Sequence, residues 1–256
     1  MVLGIDLSLN SPGICLMVNG KSHYVSILNL RRFSKKKDLT TDNYTNELIE
    51  TIKGFDNVTF IPFVREPKSP KMKYEIAQRF SLNNNKKLFH IVAKAIDNLL
   101  EMYKINREEL VVVTEGYSYG SNPNTLVEAA ELGTYVRDWV CYDLLEGDLE
   151  RFYVVSGPTI KKFAGKGNMD KHQMYEAWIA RNKDDGDSYL NFCKENRDYF
   201  TKPKMKTIRK VKTEIKVMKS PSDDLIDAWW LCQYVSSVLL SDVSRTKNQE
   251  PLFQTL

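Results

Sequence analysis

Cysteine is scarce in these 256 residues, and the four present stand far apart. Cys15, Cys141, Cys193 and Cys232 form no Cys-x-x-Cys pair, which leaves no basis for a zinc site or a disulfide frame. Cys15 and Cys232 read as core residues. Also missing is any apolar run of membrane-spanning length. The start of the chain lacks the charged and apolar regions of a secretory leader. These absences predict a soluble, cytoplasmic protein with no membrane partner, an organelle being the other address compatible with them. No internal repeat is visible. Hydrophobic residues make up 42% of the chain, enough for a proper core, and the length suits one large domain or two small ones.

The net charge is only +4, but it is unevenly placed. Between positions 202 and 219 stand eight basic residues (Lys202, Lys204, Lys206, Arg209, Lys210, Lys212, Lys216, Lys219) against Glu214 alone. That segment carries +7 and leaves the rest of the chain at −3. A basic stripe on a slightly acidic body suggests contact with a polyanion; a solvated surface loop is the plainer reading.

Read in order, the chain begins with an apolar strand around Leu3 to Leu9 interrupted by one acid, Asp6. The turn formers Asn10 to Gly13 follow, then strands over Gly13–Met17 and Tyr24–Leu30 joined by Asn19-Gly20, a strong hairpin signal. A short helix through Ile52, stopped by Gly54, precedes a further strand over Val58–Val64; Pro62–Lys73 reads as irregular. Leu88, Ile91, Val92, Ala95, Ile96, Leu99 and Leu100 fall on one face of a helix over Asn85–Ile105. The run Leu110–Thr114 is a strand buried on both sides. Helices over Asn124–Leu145, Thr159–Phe163, Lys171–Ala180 and Ser222–Leu240 complete the pattern, with a short strand at Phe152–Val155. Arg181–Ser220 shows no clear period. Three antiparallel strands followed by helix–strand units predict an α/β fold with a mixed sheet flanked by helices.

Four acids stand out against this scaffold. Asp6 interrupts a buried strand, which is costly for a charge without compensation; it caps the turn, pairs with a lysine, or binds a metal. Glu115 sits where the later strand ends, the place where ligands of open α/β sheets gather. Asp224 and Asp227 share one face of the last helix, with Asp223 and Asp227 as a second possible pair. Ser222 as cap and the helix dipole account for Asp223 and Asp224. They do not account for Asp227, which lies deeper and precedes Trp229 and Trp230. Clustered carboxylates suit magnesium. Two such ions ~4 Å apart activate water and steady a leaving oxygen in phosphoryl displacement.

These residues carry a resemblance. Gly4-Ile5-Asp6, Val113-Thr114-Glu115 and Asp224-x-x-Asp227-Ala228 resemble the motifs of RuvC-type Holliday junction resolvases, which have the ribonuclease H-like fold. The segment Pro158 to Lys171 agrees, with Lys161, Lys162, Gly165-Lys166-Gly167 and Lys171, as does the helix bearing Leu132-Gly133 and Arg137. The resemblance implies a homodimer that binds four-way DNA junctions and cuts two strands symmetrically. It implies Asp6, Glu115, Asp224 and Asp227 as ligands of magnesium or manganese, two ions per site. Lys171 would stand near the scissile phosphate. Lys161, Lys162 and Lys166 would contact phosphates, and Gly165 and Gly167 would admit the strand. Tyr117 or Tyr119 would stack on a base at the crossover.

The chain also departs from the compact pattern. Asp6 and Glu115 lie 109 residues apart. One nuclease domain over 1–240 is expected, with insertions near 31–80 and 182–220 and a polar tail over 241–256. The second insertion holds the basic stripe, including Arg209, Lys210 and Lys212, and is expected to clamp a DNA arm. Other branched DNA, such as flaps or forks, is an equal fit to the chemistry. An actin-like ATPase shares the opening strand and hairpin, but no second glycine-rich phosphate loop is found. A non-catalytic DNA-binding relative would not need all four acids.

Overall fold

A computed structural model describes residues 1–33, 43–69, 71–116, 123–183, 186–208, 211–218 and 222–240. Its centre is a six-stranded sheet in the order β4-β3-β2-β1-β5-β6. The strands are β1 (Val2–Asp6), β2 (Gly13–Val18), β3 (Lys21–Asn29), β4 (Val58–Phe63), β5 (Val111–Glu115) and β6 (Phe152–Val155). β1, β2 and β3 form an antiparallel meander, while β5 runs parallel to β1, β6 to β5 and β4 to β3. This is the ribonuclease H-like arrangement, with β4 added at one edge. Asn19 and Gly20 both take positive φ (50° and 78°), the turn that matches strand twist between β2 and β3. Pro62 lies in β4, an edge strand, where its missing N–H costs no interior ladder bond.

Helices cover both faces. α2 (Tyr74–Met102) and α3 (Pro123–Trp139) close one side, where Leu88, Val92, Ile96 and Leu99 meet Leu3, Ile5, Leu132 and Val136. α4 (Gly157–Ala164), α5 (Lys171–Arg181) and α7 (Ser222–Tyr234) close the other around Trp178, Trp229 and Trp230. α1 (Asn43–Lys53) leads to β4. Because each strand except β2 points the same way, the carboxyl ends of β1, β3, β4, β5 and β6 share one edge of the sheet. Among the described residues no helix is long and apolar enough to cross a membrane.

Two sequence expectations change. α2 begins eleven residues before Asn85. Its first half uses polar contacts instead of an apolar stripe: the Ser81 hydroxyl donates to Glu128 (2.8 Å), the Asn84 amide to the Glu66 carbonyl (2.9 Å) and the Asn85 amide to the Glu128 carbonyl (3.0 Å). The apolar period therefore starts only at Leu88. Arg65 donates to the same Glu128 carboxylate at 2.6 Å, which ties the chain after β4 to α3.

The segment after α5 is also ordered. It holds α6 (Ser188–Glu195) and an antiparallel hairpin of β7 (Thr201–Ile208) and β8 (Val211–Met218). The period-2 signal was present in Lys202, Lys204, Lys206 and in Val211, Thr213, Ile215, Val217. It was hidden because no face of it reads as core. α6 is capped by Asp187, a buried acid whose carboxylate accepts from Tyr24 Oη (2.9 Å), Asn57 Nδ2 (2.7 Å) and the Leu190 amide (2.8 Å). These donors fasten this segment to β3 and to the lead-in of β4.

Candidate active site

Asp6 ends β1, and Ile5 pairs with Thr114, so Glu115 follows directly beside it at the same edge. The third contributor is α7, which crosses β1 and β2 at backbone contact. A Cβ on Gly4 would lie 2.3 Å from the Ala228 carbonyl oxygen, and one on Gly13 would lie 2.2 Å from that of Asp224. Only glycine at both positions lets the helix rest on the sheet. That approach carries Asp224 and Asp227 over Asp6. Gly157 does the same for Glu115: a Cβ there would meet Glu115 Oε1 at 2.3 Å. Arg137 Nη2 donates to the Glu115 carbonyl at 2.9 Å and pins the strand end to α3.

Lys171 supplies the cation among these acids. A capping box, in which the Asp170 carboxylate accepts from the Gln173 amide (2.9 Å) and Gln173 Oε1 accepts from the Asp170 amide (3.0 Å), fixes the start of α5 and so the place of Lys171. Its Nζ lies 2.9 Å from Asp227 Oδ2, 3.1 Å from Asp223 Oδ2 and 3.7 Å from Asp224 Oδ1. Asp223, left open as an alternative ligand by the sequence, therefore faces the lysine. Its other oxygen, Oδ1, is buried and has no hydrogen-bond partner among the described residues. Lys161 joins Glu115, Asp227, Gly157 and Ile160 in lining a small cavity of about 30 Å³.

The electrostatics follow from burial and crowding. Burial first, then repulsion from Asp224 and Asp227, pushes the Asp6 carboxyl well above the usual range; Lys171 opposes this. Burial, then Asp227, raises Glu115 to about 7 against the pull of Lys171 and Lys161. Burial, then Asp223, raises Asp224 to about 7, with Lys171 and a Ser11 hydrogen bond opposing. Burial of the Lys171 ammonium disfavours its charge, yet Asp227, Asp224, Asp223 and Asp6 outweigh that and hold it firmly protonated, although 47% of its side chain is exposed. The site holds more negative charge than its lysines neutralise.

The structure thus brings together Asp6, Glu115, Asp224, Asp227, Lys171 and Lys161. Lys162, Gly165, Lys166 and Gly167 lie exposed on the last turn of α4 and the loop after it. Tyr117, Tyr119, Arg209 and Lys210 lie outside the described residues, and Lys212 stands on β8 opposite Thr207. Sequence reasoning missed Gly157, and it read Gly4 and Gly13 only as a motif residue and a turn former. The signal was there: a small residue in a strand beside an acid marks close approach.

The donor set is all carboxylate oxygen, buried and mutually repelling, which is the chemistry a hard divalent cation matches. Among the described residues, no three His, Cys, Asp or Glu side chains already surround a single point as ligands; the Lys171 ammonium is the cation between them.

Fold and site together define a ribonuclease H-like α/β domain with an acid cluster at the carboxyl edge of its sheet. No family model matches the sequence, and no curated protein matches it. Among solved structures the chain is similar to RuvC of Thermus thermophilus, at 13% identity and TM-score 0.41, over 94% of this chain and 96% of that one. It is also similar to the yeast mitochondrial Holliday junction resolvase Ydc2, at 14% identity and TM-score 0.42, over 90% of this chain and 75% of that one.

Proposed function

We propose that this protein is a divalent-metal-dependent nuclease of RuvC type that cuts four-way DNA junctions. One observation carries the reading: acids from three distant segments converge around a single lysine at the edge where α/β sheets bind ligands. Asp6, Glu115, Asp224 and Asp227 would hold magnesium or manganese. Such ions, when bound, supply an activated water and stabilise the leaving oxygen. Lys171 then places a fixed positive charge beside the phosphate, where negative charge grows during displacement. Asp223 keeps that ammonium in place. Lys161 faces the same cleft, while Lys162, Lys166 and the open backbone at Gly165 and Gly167 take neighbouring phosphates. Tyr117 or Tyr119 stacks at the crossover. Cutting two strands symmetrically requires two such sites, hence a homodimer.

The direct test is magnesium-dependent cleavage of a synthetic four-way junction, with flap, fork and linear duplex of the same sequence alongside. Paired nicks in the junction and an intact duplex are expected. Preferential cutting of flaps or forks would move the reading to other branched DNA. ATP hydrolysis without cleavage of any of them would overturn it.

A second expectation concerns pH. Glu115 and Asp224 titrate near 7 in the folded protein, against ordinary values of 4.5 and 3.8. A carboxyl raised by folding favours the protonated fold, so its stabilising effect is complete at low pH and is lost as pH climbs through about 7. Protons and metal compete for these oxygens. Magnesium should therefore raise the thermal midpoint by several degrees at pH 8 and by much less at pH 5. Equal shifts at both pH values would argue against the acids as ligands.

A further inference from the structure

The hairpin β7–β8 stands apart from the central sheet, and nothing in the cluster chemistry requires it. Its two strands of eight residues make a ribbon about 26 Å long at ~3.3 Å per residue. The base is anchored. Phe200 and Met218 are buried in the core that also holds Trp178 and Tyr189, and Lys216 Nζ lies 2.6 Å from Asp198 Oδ1. The middle is not anchored: Met205 and its register partner Glu214 are both exposed, Met205 at 57%. A two-stranded ribbon with both edges open is marginal alone and invites pairing with other chains. Mixed charge would suffice to keep such a ribbon soluble. Instead the two strands carry Lys202, Lys204, Lys206, Lys212 and Lys216 against Glu214.

The register arranges these cations. Positions 202, 204 and 206 fall on one face of β7, opposite Val217, Ile215 and Thr213. Alternate residues of a strand repeat every ~6.7 Å, a spacing comparable to that of successive phosphates along a nucleic-acid strand. The ribbon's place is fixed by connectivity. Met218 at its base is joined to Ser222 by three residues, so the two Cα atoms lie within about 15 Å. Asp223 and Asp224 follow at once. β8 also packs against α5, whose first residue is Lys171. The ribbon therefore starts beside the acid cluster.

We propose that β7–β8 is a phosphate rail that lies along one duplex arm of the substrate and holds it over about eight base pairs from the cleavage site (~3.4 Å per pair). This rests on the reading of the protein as acting on DNA and adds which part of the DNA the ribbon takes. Its contribution is to binding, through counterion release, and is separable from the chemistry at the acids.

The test compares wild type with a K202Q/K204Q/K206Q variant, which changes the row on one face of β7 and leaves the Lys216–Asp198 pair intact. Junction binding is measured without metal across a salt series, together with hydroxyl-radical footprints of the arms. The variant should bind at least about tenfold more weakly, its salt slope should fall by roughly three, and protection of one arm should shorten by about eight base pairs. Unchanged affinity, slope and footprint would overturn the proposal. Circular dichroism checks the fold of the variant. If it is lost, a photocrosslinking amino acid in place of Ile215, the register partner of Lys204 on the same face, gives an independent reading: crosslinks to arm nucleotides support the rail, and their absence overturns it. Cleavage by wild type is followed separately with magnesium. A shortened footprint with no cleavage would keep the rail and remove the nuclease reading.

Discussion

Asp6→Asn should abolish cutting of a four-way junction while leaving junction binding within about twofold of wild type. Asp6 ends a central strand, is 8% exposed and feels Asp224, Asp227 and Glu115 together. Losing its charge removes a ligand from the centre of the set, so the fall in rate should be on the order of a thousandfold or more, the size seen when a group acting mainly in the transition state is lost. The same change removes a buried charge that repels its neighbours. In metal-free buffer at pH 8 the variant should therefore melt higher than wild type, because active-site acids are held at the expense of stability. Rates would be measured by single-turnover cleavage, binding by mobility shift and stability by thermal melt. Cutting at the wild-type rate would remove Asp6 from the site. A lower metal-free midpoint would show that the repulsion is already neutralised.

Gly13→Val should destabilise the protein by about 3 kcal/mol, since overpacking at a contact that cannot yield costs this much or more. For a chain of this size that is a drop of about 6–12 °C in midpoint. The Cβ would stand 2.2 Å from the Asp224 carbonyl oxygen and 2.9 Å from the Leu225 amide nitrogen, both helix backbone, so no side chain can swing aside. α7 would have to lift from β2, taking Asp224 and Asp227 away from Asp6. Magnesium should then no longer raise the midpoint of whatever folded protein remains. The control is Gly20, in the hairpin turn at the far end of β2, where an added Cβ meets nothing within 4 Å. Its φ of +78° makes substitution locally strained, but magnesium binding should survive. A Gly13→Val protein that melts like wild type and still responds to magnesium would mean the helix does not rest on the sheet as described.

The ribonuclease H-like order of strands was legible because its signals are local. Asn19-Gly20 marks a hairpin, Leu110–Thr114 a buried strand, and the helical period from Leu88 to Leu100 a crossover. The acids were legible for a related reason: a charge in an apolar strand, or deep on a helix that ends in tryptophans, conflicts with its surroundings. What stayed hidden was polar or two-sided. The first half of α2 is held by Ser81, Asn84 and Asn85, whose partners Glu66 and Glu128 lie 18 to 47 residues away. In the β7–β8 hairpin the alternation of Thr213, Ile215 and Val217 on β8 lies across from Lys206, Lys204 and Lys202 on β7, so neither strand announces a core face.

By itself the sequence determined the fold class, the four acids and the basic stripe, since each is a matter of residue type against local pattern. Only the tertiary structure decided that Asp223 faces Lys171, that Lys161 shares the cleft with Glu115, and that the basic stripe is a ribbon rooted beside the acids. The reason is distance: Asp6 and Asp227 meet because two glycines let a helix lie on a sheet, and no short-range period along the chain records where one backbone touches another.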